Sequence, residues 1–209
     1  MRTVLFRGRE DKIALAGEVF SKYLKGSILD VGCDQKLLKT FVRGYYVGVD
    51  IAGKPDLVFN FKDGLPFKNM SFDAVFAFDV LEHLDDIYYG FDELCRVARR
   101  YVIIGLPNMY EWHFRLMFLM GKKLSGKYGL PTDPPADRHR WLFTLDEARN
   151  FCRVRSDKNG FIVVEEIFGY YAYKRLLPKL VTALATLITN KGMSMLSYSY
   201  WVVLKRYSL

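Results

Sequence analysis

The sequence predicts an α/β domain in which helices cover both faces of a mostly parallel β-sheet. Short apolar runs alternate along the chain with segments of helical periodicity. The runs are apolar at successive positions, which is typical of strands buried on both faces of a sheet. With 209 residues, 51% of them hydrophobic, the chain is long and apolar enough for one substantial core. We therefore expect a single domain over residues 1–209.

The first half of the chain contains a predicted helix followed by four predicted strands. Residues 10–25 place apolar side chains on one face of a helix. The run SILDVG then predicts a buried strand that meets a turn at Gly32. After a short helical stretch over 36–41, the remaining strands are YYVGVDI (45–51), DLVFN (56–60) and FDAVFAFDVL (72–81).

The middle of the chain departs from this alternation. Residues 87–99 have helical periodicity and lead into a strand over 101–107, which Pro107 ends. Residues 108–140 then combine an aromatic, basic helix candidate with a loop rich in glycine and proline. We interpret 108–140 as an insertion that caps the carboxyl edge of the sheet, and not as a separate domain.

The C-terminal part returns to regular structure. Thr144 followed by Glu147 has the spacing of a capping box, which predicts that a helix begins there. Two more strands are predicted over 160–168 and 198–206, with an apolar segment at 176–189 between them.

Charge and hydropathy limit the classes of protein to which the chain can belong. A net charge of +8 favours an anionic partner, although the scattered lysines and arginines also fit an ordinary solvated surface. The longest uncharged apolar stretch near the C-terminus, Leu180 to Thr189, is far shorter than the ~20 residues of a membrane span. The N-terminus has no apolar run of signal-peptide length. We therefore expect a cytoplasmic protein.

The cysteines give no indication of a metal site. Cys33, Cys95 and Cys152 lie about sixty residues apart, a spacing that matches neither a zinc site nor a disulfide framework. We expect free thiols, buried at Cys95 and Cys152, and no metal ligands.

Polar residues stand at the ends of two predicted strands, where open α/β sheets bind their ligands. Gly32 allows the backbone to approach a ligand closely, and a helix after it would offer free N–H groups to a carboxylate or phosphate. Asp50 lies 18 residues beyond Gly32 at the end of the next strand, where a carboxylate can accept hydrogen bonds from both hydroxyls of a ribose. These residues indicate a nucleoside-type ligand, with an ordinary strand-end aspartate as the alternative.

Five segments between residues 27 and 150 carry a family resemblance by their sequence and their order. They are ILDVGC (28–33), VGVDI (47–51), LPFKNMSFDAVFAFDVLEHL (65–84), ELCRVARRYVIIGLPN (93–108) and HRWLFTLDEA (139–148). The chain thereby resembles the class I S-adenosylmethionine-dependent methyltransferases, and their small-molecule and lipid-modifying branch in particular. The resemblance implies a Rossmann-like, seven-stranded, mostly parallel sheet with an antiparallel last strand in a three-layer sandwich. It also implies S-adenosylmethionine as the cofactor and methyl transfer as the activity.

The resemblance also implies which residues bind the cofactor. Asp30 and Gly32 would form the loop beneath the methionine part, and Asp50 would hold the ribose. Ile51 would pack on the adenine, and the other residues would line the adenine edge or approach the methionine and the methyl donor. The implied cofactor-binding set is Asp30, Gly32, Cys33, Asp34, Asp50, Ile51, Asn60, Phe61, Phe78 and Asp79.

The glycine loop departs from the family's pattern. The family usually has G-C-G-x-G, whereas this chain has Gly32-Cys33-Asp34-Gln35-Lys36. Asp34 is compatible with the loop because aspartate tolerates a left-handed backbone. Lys36 has to turn its side chain away from the ligand or meet the cofactor's carboxylate. A non-catalytic binding module that has lost the cofactor is therefore the alternative.

Methyl transfer depends mainly on positioning, and an oxygen acceptor also needs a base for its proton. The candidate bases are Asp79, His113 and His139, of which Asp79 and His139 are the predicted catalytic residues. His83 is more often structural in the family. The predicted substrate residues are Arg138 and Arg140, which could hold an anionic acceptor, and Trp112 of the insertion.

The acceptor is expected to be a small molecule, a lipid or a glycan. The aromatic insertion either packs on the sheet or forms an apolar lid, and its lysines would suit an anionic headgroup in a peripheral membrane contact. A nucleic-acid acceptor has little support, because Phe78-Asp79-Val80-Leu81 stands in place of the Asn/Asp-Pro-Pro-Tyr/Phe motif of amino-methylating enzymes. A dinucleotide oxidoreductase has the least support, because no G-x-G-x-x-G turn is present.

Overall fold

An eight-stranded sheet forms the centre of the computed structural model, which describes residues 2–61, 64–124, 126–135, 137–171 and 195–207. Its strands are β1 (Arg2–Phe6), β2 (Lys25–Val31), β3 (Arg43–Asp50), β4 (Leu57–Val58), β5 (Phe72–Phe78), β6 (Ala98–Pro107), β7 (Phe161–Tyr171) and β8 (Ser199–Arg206). They lie side by side in the order β1-β7-β8-β6-β5-β2-β3-β4. The last strand, β8, is antiparallel to β6 and β7, and the other pairs are parallel. The predicted mostly parallel sheet with an antiparallel last strand is confirmed.

The two edges of the sheet differ from the prediction of seven strands. An eighth strand, β1, pairs in parallel with Ile167–Tyr171 of β7. Most of the β1 side chains are exposed. A strand of this kind does not need the continuous apolar run that marks strands buried on both faces, so the sequence pattern did not reveal it. At the other edge the strand predicted over 56–60 shortens to the two exposed residues of β4. Edge strands are covered less than central ones, and their sequence pattern is correspondingly weak.

Helices cover both faces of the sheet, as predicted. The α-helices of the described residues are α1 (Arg9–Val19), α2 (Ile87–Val97), α3 (Trp112–Leu119) and α4 (Leu145–Lys158). Successive strand residues point to opposite faces, so Val75 packs with Phe91 of α2 whereas Phe76 packs with Ala16 of α1. Cys152 of α4 belongs to the same core as Phe91. The sheet therefore separates two hydrophobic cores.

Two helical segments are shorter than predicted. The first helix ends at Val19 and not at residue 25, because the chain then turns toward β2, with a bond from Tyr23 N to Phe20 O of 2.8 Å. The stretch predicted over 36–41 forms a 3-10 helix, Leu37–Phe41. No full α-helix therefore follows the loop at Gly32.

No helix of the described ranges is long and apolar enough to cross a membrane. The apolar segment predicted at 176–189 lies outside the described residues. Cys33, Cys95 and Cys152 are buried free thiols. The predicted burial of Cys95 and Cys152 is confirmed.

The helix α4 begins with the predicted capping box. Thr144 Oγ1 accepts a bond from Glu147 N at 3.2 Å, and Glu147 Oε2 accepts one from Thr144 N at 2.7 Å. We expect Thr144→Ala to lower the free energy of unfolding by about 1 kcal/mol, because Glu147 N loses its acceptor. Chemical denaturation measures this loss, and Thr132→Ala, at an exposed loop threonine, should change stability by less than about 0.5 kcal/mol. Equal stability of the two variants would contradict the capping role.

Candidate active site

The carboxyl ends of three central strands lie next to each other. In the sheet Asp30 of β2 pairs with Gly48 of β3 on one side and with Phe76 of β5 on the other. Because these strands are parallel and in register, the residues that follow them meet at one edge. The predicted site residues Gly32, Asp50 and Asp79 all stand at this edge, here called the carboxyl edge.

The loop after β2 keeps a glycine-type backbone at positions that are not glycine. Gly32 has φ +75°, and a Cβ there would lie 2.5 Å from Val80 Cγ2, so a side chain does not fit. Asp34 and Lys36 also have positive φ, at 45° and 58°. These are the positions where the family pattern has glycines. The loop thus has a left-handed backbone at both positions without glycine. For a residue such as lysine this conformation costs roughly 1–2 kcal/mol of free energy.

The Lys36 side chain turns away from the loop. Its Nζ pairs with Asp56, which lies just before β4 and also accepts a bond from Gly48 N at 2.8 Å. The Lys36 ammonium is the main cause that holds the pKa of Asp56 below its usual value. Lys36 therefore does not fill the space beside Gly32.

A cleft opens beside the loop, between α1 and the carboxyl edge. Its walls include Ile13 of α1, Asp30, Gly32 and Asp34, and Phe78 of β5. The cleft is open to solvent at its mouth, so its polar wall is accessible to a ligand.

Asp30 is a buried carboxylate in the wall of this cleft. Its Oδ2 accepts a hydrogen bond from Tyr46 Oη at 2.7 Å. Burial raises the pKa of Asp30 to about 7; the Tyr46 bond lowers it and the nearby charge of Asp50 raises it further. Near neutral pH the group is therefore close to the point where it takes up a proton.

Asp50 lies at the end of β3, where its carboxylate holds backbone amides. Asp50 Oδ2 accepts from Asp34 N at 2.9 Å, and Oδ1 accepts from Ile51 N at 2.7 Å and from Ala52 N at 3.3 Å. Asp50 thus ties the loop after β3 to the loop after β2. A carboxylate accepts about four hydrogen bonds, so little capacity is left unless one of these bonds is exchanged.

The other residues implied for the adenine lie apart from the cleft walls. Ile51 is exposed, and so is Asn60. Phe61 is buried in the core that contains Val31 and Leu81. The structure therefore presents Ile51 to a ligand more readily than Phe61.

Asp79 directly follows β5 and has a left-handed backbone conformation, with φ 55°. Its Oδ2 pairs with Nζ of Lys12, a buried lysine of α1. Asp79 Oδ1 is buried and has no hydrogen-bond partner among the described residues. A buried ion pair of this kind costs desolvation energy, which is often tolerated at functional sites.

A second polar cluster lies just beyond Asp79. Glu82 is fully buried in the 3-10 helix Leu81–His83, and its Oε1 is 3.7 Å from His83 Nε2 and 3.9 Å from His139 Nε2. Burial is the main cause that raises the pKa of Glu82, and burial lowers the pKa of His83 and brings that of His139 to about 4. The predicted catalytic histidine therefore faces a buried carboxylate.

The predicted substrate residues surround this cluster at the surface. Arg138 and Arg140 are exposed, and Arg140 Nε pairs with Asp85 Oδ1 at 2.9 Å. Asp137 pairs with Lys127 and not with an arginine. Trp112 is half-buried at the start of α3. The arginines are thus accessible to an anionic ligand.

Sequence reasoning did not single out Lys12, Glu82 or Tyr128. Lys12 lies one turn before Ala16 on the buried face of α1. A lysine on the face of a helix that packs against the sheet is unusual, and this position could have marked Lys12 in the sequence. Glu82 lies inside the recognised LEHL segment. Tyr128 lies in the loop of the insertion, where no sequence pattern marked it.

One stretch of the sequence is similar to a known family. Residues 29–104 match the sequence model of a methyltransferase domain. No curated protein matches the sequence. The matched stretch contains the loop at Gly32, Asp50 and the LEHL segment.

Solved structures share the fold at low sequence identity. A SAM-dependent methyltransferase from Archaeoglobus fulgidus has 17% identity and a TM-score of 0.61, and 96% of each chain is covered. Magnesium protoporphyrin IX methyltransferase from Synechocystis PCC 6803, with bound SAH, has 16% identity and a TM-score of 0.59, with 95% of this chain and 83% of that chain covered. The small RNA methyltransferase HEN1 has 14% identity and a TM-score of 0.60, with 100% of this chain and 27% of that chain covered.

Residues 29–104 are thus similar to a methyltransferase domain, and the chain has the fold of SAM-dependent methyltransferases. One of the solved structures with this fold contains bound SAM. Lys36 pairs with Asp56, so its side chain leaves the cleft beside Gly32 clear for such a cofactor.

The raised pKa of Asp30 predicts how stability depends on pH. As pH rises from about 4 to about 7, the unfolded chain, with an ordinary pKa of 3.8, loses this proton before the folded protein does. The unfolded state then binds fewer protons, so the free energy of unfolding should fall over this window. Asp30→Asn, which retains an acceptor for Tyr46, should remove this part of the fall.

Denaturant titrations of the wild type and Asp30→Asn at pH 5 and pH 8 measure the difference. Asp146→Asn, at an exposed residue of α4, serves as the control and should follow the wild type. If Asp30→Asn shows the same pH dependence as the wild type, Asp30 is not the buried titrating group.

Proposed function

We propose that the protein transfers the methyl group of S-adenosylmethionine to a hydroxyl-bearing small-molecule, lipid or glycan acceptor. The observation that carries this proposal is the cleft beside Gly32, at the edge of the sheet where β3 ends at Asp50 and where Asp79 follows β5. The cofactor supplies an electrophilic methyl group on a sulfonium. The acceptors of the structural neighbours include a porphyrin and a small RNA, so the fold by itself does not select the acceptor.

The loop at Gly32 and the charged residues around it would bind the methionine part of the cofactor. Asp30, Gly32, Cys33 and Asp34 surround the cleft, and Phe78 forms its apolar wall. These residues would exclude water from the reacting centre and orient the donor, and positioning of this kind supplies much of the rate enhancement in methyl transfer.

Asp50 would hold the ribose after exchanging a backbone bond. Its bond to Ala52 N, at 3.3 Å, is the longest of the three that it accepts. A long hydrogen bond is weak, so breaking this one loses the least free energy. It leaves an oxygen of the Asp50 carboxylate able to accept a bond from a sugar hydroxyl. The exposed Ile51 side chain would then lie next to the adenine, with Asn60 at the adenine edge.

Asp50→Ala should weaken binding of S-adenosylhomocysteine at least about 100-fold, because hydrogen bonds to a charged acceptor contribute about 1.5–3 kcal/mol each. Isothermal titration calorimetry measures this affinity, with Asp146→Ala as the control at an exposed aspartate. Thermal unfolding of each variant checks that the loop remains folded. Affinity equal to that of the wild type would overturn the ribose assignment, and no binding to the wild type at millimolar ligand would overturn the proposed function.

Lys36→Gly restores the family's glycine and tests whether the lysine obstructs the cofactor. Because Lys36 pairs with Asp56 outside the cleft, we expect the affinity for S-adenosylhomocysteine to change by less than about threefold. The same calorimetric titration measures it. A gain of tenfold or more would show that the lysine competes for the cofactor's space.

The insertion offers a surface that suits a lipid acceptor at an anionic membrane. Phe114 anchors α3 in the fold, whereas Phe118 and Leu119 are 73% and 81% exposed. The exposed Lys122 and Lys123 follow directly. Apolar side chains beside lysines are the combination that binds an interface with anionic headgroups.

We expect the full-length protein to sediment with vesicles that contain phosphatidylglycerol. The double variant Phe118→Ser/Leu119→Ser should bind at least about tenfold more weakly, because it removes two exposed apolar side chains. Tyr45→Ser is the matched control, because Tyr45 is an exposed aromatic residue near the start of β3 and lies outside the insertion. This variant should bind like the wild type. Equal sedimentation of the double variant and the wild type would contradict the membrane contact.

A further inference from the structure

We propose that Glu82, His83 and His139 bind a divalent transition-metal ion beside the methyl-transfer site. One ligand atom from each residue lies within 4.8 Å of the others, on a site formed by the 3-10 helix after β5 and the end of the insertion. The inference goes against the expectation from the cysteine pattern that the chain has no metal ligands. The fold brings His139 next to Glu82 and His83, although His83 and His139 are 56 positions apart in the sequence.

The hydrogen bonds of His83 direct one ring nitrogen toward Glu82. His83 Nδ1 lies 2.8 Å from Asp137 Oδ1 and 3.2 Å from the Arg138 carbonyl oxygen. Both of these atoms are acceptors, so Nδ1 carries the proton. The lone pair is then on Nε2, which faces Glu82 Oε1 at 3.7 Å.

His139 has the same arrangement through a tyrosine. Tyr128 Oη lies 2.8 Å from His139 Nδ1 and can donate its own proton to the Trp141 carbonyl oxygen at 3.4 Å. In the tautomer in which His139 Nδ1 donates to Tyr128 Oη, His139 Nε2 keeps its lone pair toward Glu82. Metal-bound histidines usually donate their second N–H to a carboxylate or another oxygen in this way.

With both histidines in these tautomers, three acceptors converge with no donor between them. Both carboxylate oxygens of the fully buried Glu82 have no hydrogen-bond partner among the described residues. The distances of 3.7 and 3.9 Å are too long for hydrogen bonds to the histidines. A buried, unpartnered carboxylate is costly, and a cation would satisfy all three groups at once.

The donor set selects the kind of ion. Two imidazoles and one carboxylate favour zinc, manganese, iron or cobalt in the divalent state, whereas magnesium and calcium prefer oxygen ligands alone. Bonds of about 2.0–2.2 Å require the distances from Glu82 Oε1 to the two histidine nitrogens to shorten by a few tenths of an ångström. Three protein ligands leave at least one coordination position open.

The open position suggests a role that rests on the proposed function. Glu82 follows three residues after Asp79, at the same edge as the cleft wall formed by Phe78. An acceptor hydroxyl bound to the ion would have a lowered pKa and a fixed orientation toward the donor. An ion held by Glu82, His83 and His139 would then activate the acceptor hydroxyl, the role for which the sequence analysis predicted a catalytic base.

Titration of the chelator-treated, full-length protein with Co²⁺ tests the site directly. We expect one bound ion per chain with the visible absorption of a four- or five-coordinate site, and competition by Zn²⁺ but not by equimolar Mg²⁺. Glu82→Gln and His139→Gln should each weaken Co²⁺ binding at least about 100-fold. Tyr128→Phe, which removes the partner of a ligand, should weaken it by about 10–100-fold.

The third histidine of the chain provides the matched control. His113 lies on α3 outside the cluster, and His113→Gln should bind Co²⁺ within about threefold of the wild type. Stoichiometric binding lost in Glu82→Gln and His139→Gln but kept in His113→Gln supports the site. No binding by the wild type, or equal binding by Glu82→Gln, would overturn it and leave the cluster to be satisfied by a proton on Glu82.

Two further measurements keep the outcomes distinct. Thermal unfolding of metal-free Glu82→Gln should show a fold at least as stable as that of the metal-free wild type, since a neutral amide replaces a buried carboxylate. Calorimetry with S-adenosylhomocysteine tests the cofactor site independently. Co²⁺ binding without cofactor binding would uphold the metal site and reject the proposed function, and the reverse result would reject only the metal site.

Discussion

The parallel pairing of β2 with β3 and β5 is the constraint on which the rest of the site depends. Parallel strands in register end at one edge, so the groups that follow them meet there whatever their separation in sequence. Asp50 strengthens this arrangement because it bonds backbone amides of two successive loops. The same carboxylate that shapes the edge is the one proposed to hold the ribose, so cofactor binding and loop structure are coupled there.

Several charged side chains are buried along this edge, although the packing of the core does not need them. Asp30, the Lys12–Asp79 pair and Glu82 are all largely removed from water, and burial raises the pKa of Asp30 and Glu82. Desolvating such groups costs free energy that an apolar core would not. Their concentration beside one cleft is what is expected of a site that positions a charged ligand and reacting groups.

The altered glycine loop shows how a motif can change without losing its backbone shape. Asp34 and Lys36 take the left-handed conformation that glycine adopts without strain, and the Asp34 amide is bonded to Asp50 while the Lys36 ammonium is bonded to Asp56. These contacts offset part of the backbone strain. The departure that weakened the sequence argument is therefore accommodated by neighbours that lie 16 and 20 residues farther along the chain.

The sequence by itself determined the order of strands and helices, the position of Gly32, Asp50 and Asp79 at strand ends, and the start of α4 at Thr144. Those features depend on periodicity and turn chemistry, which act over a few residues. Only the tertiary structure decided that β1 joins the sheet, that Lys12 reaches Asp79, and that His139 meets Glu82. Bonds from Arg140 N to Glu82 O at 2.8 Å and from Trp141 Nε1 to Leu84 O at 2.8 Å hold the end of the insertion there. Such contacts join segments more than fifty residues apart, so no local pattern could predict them.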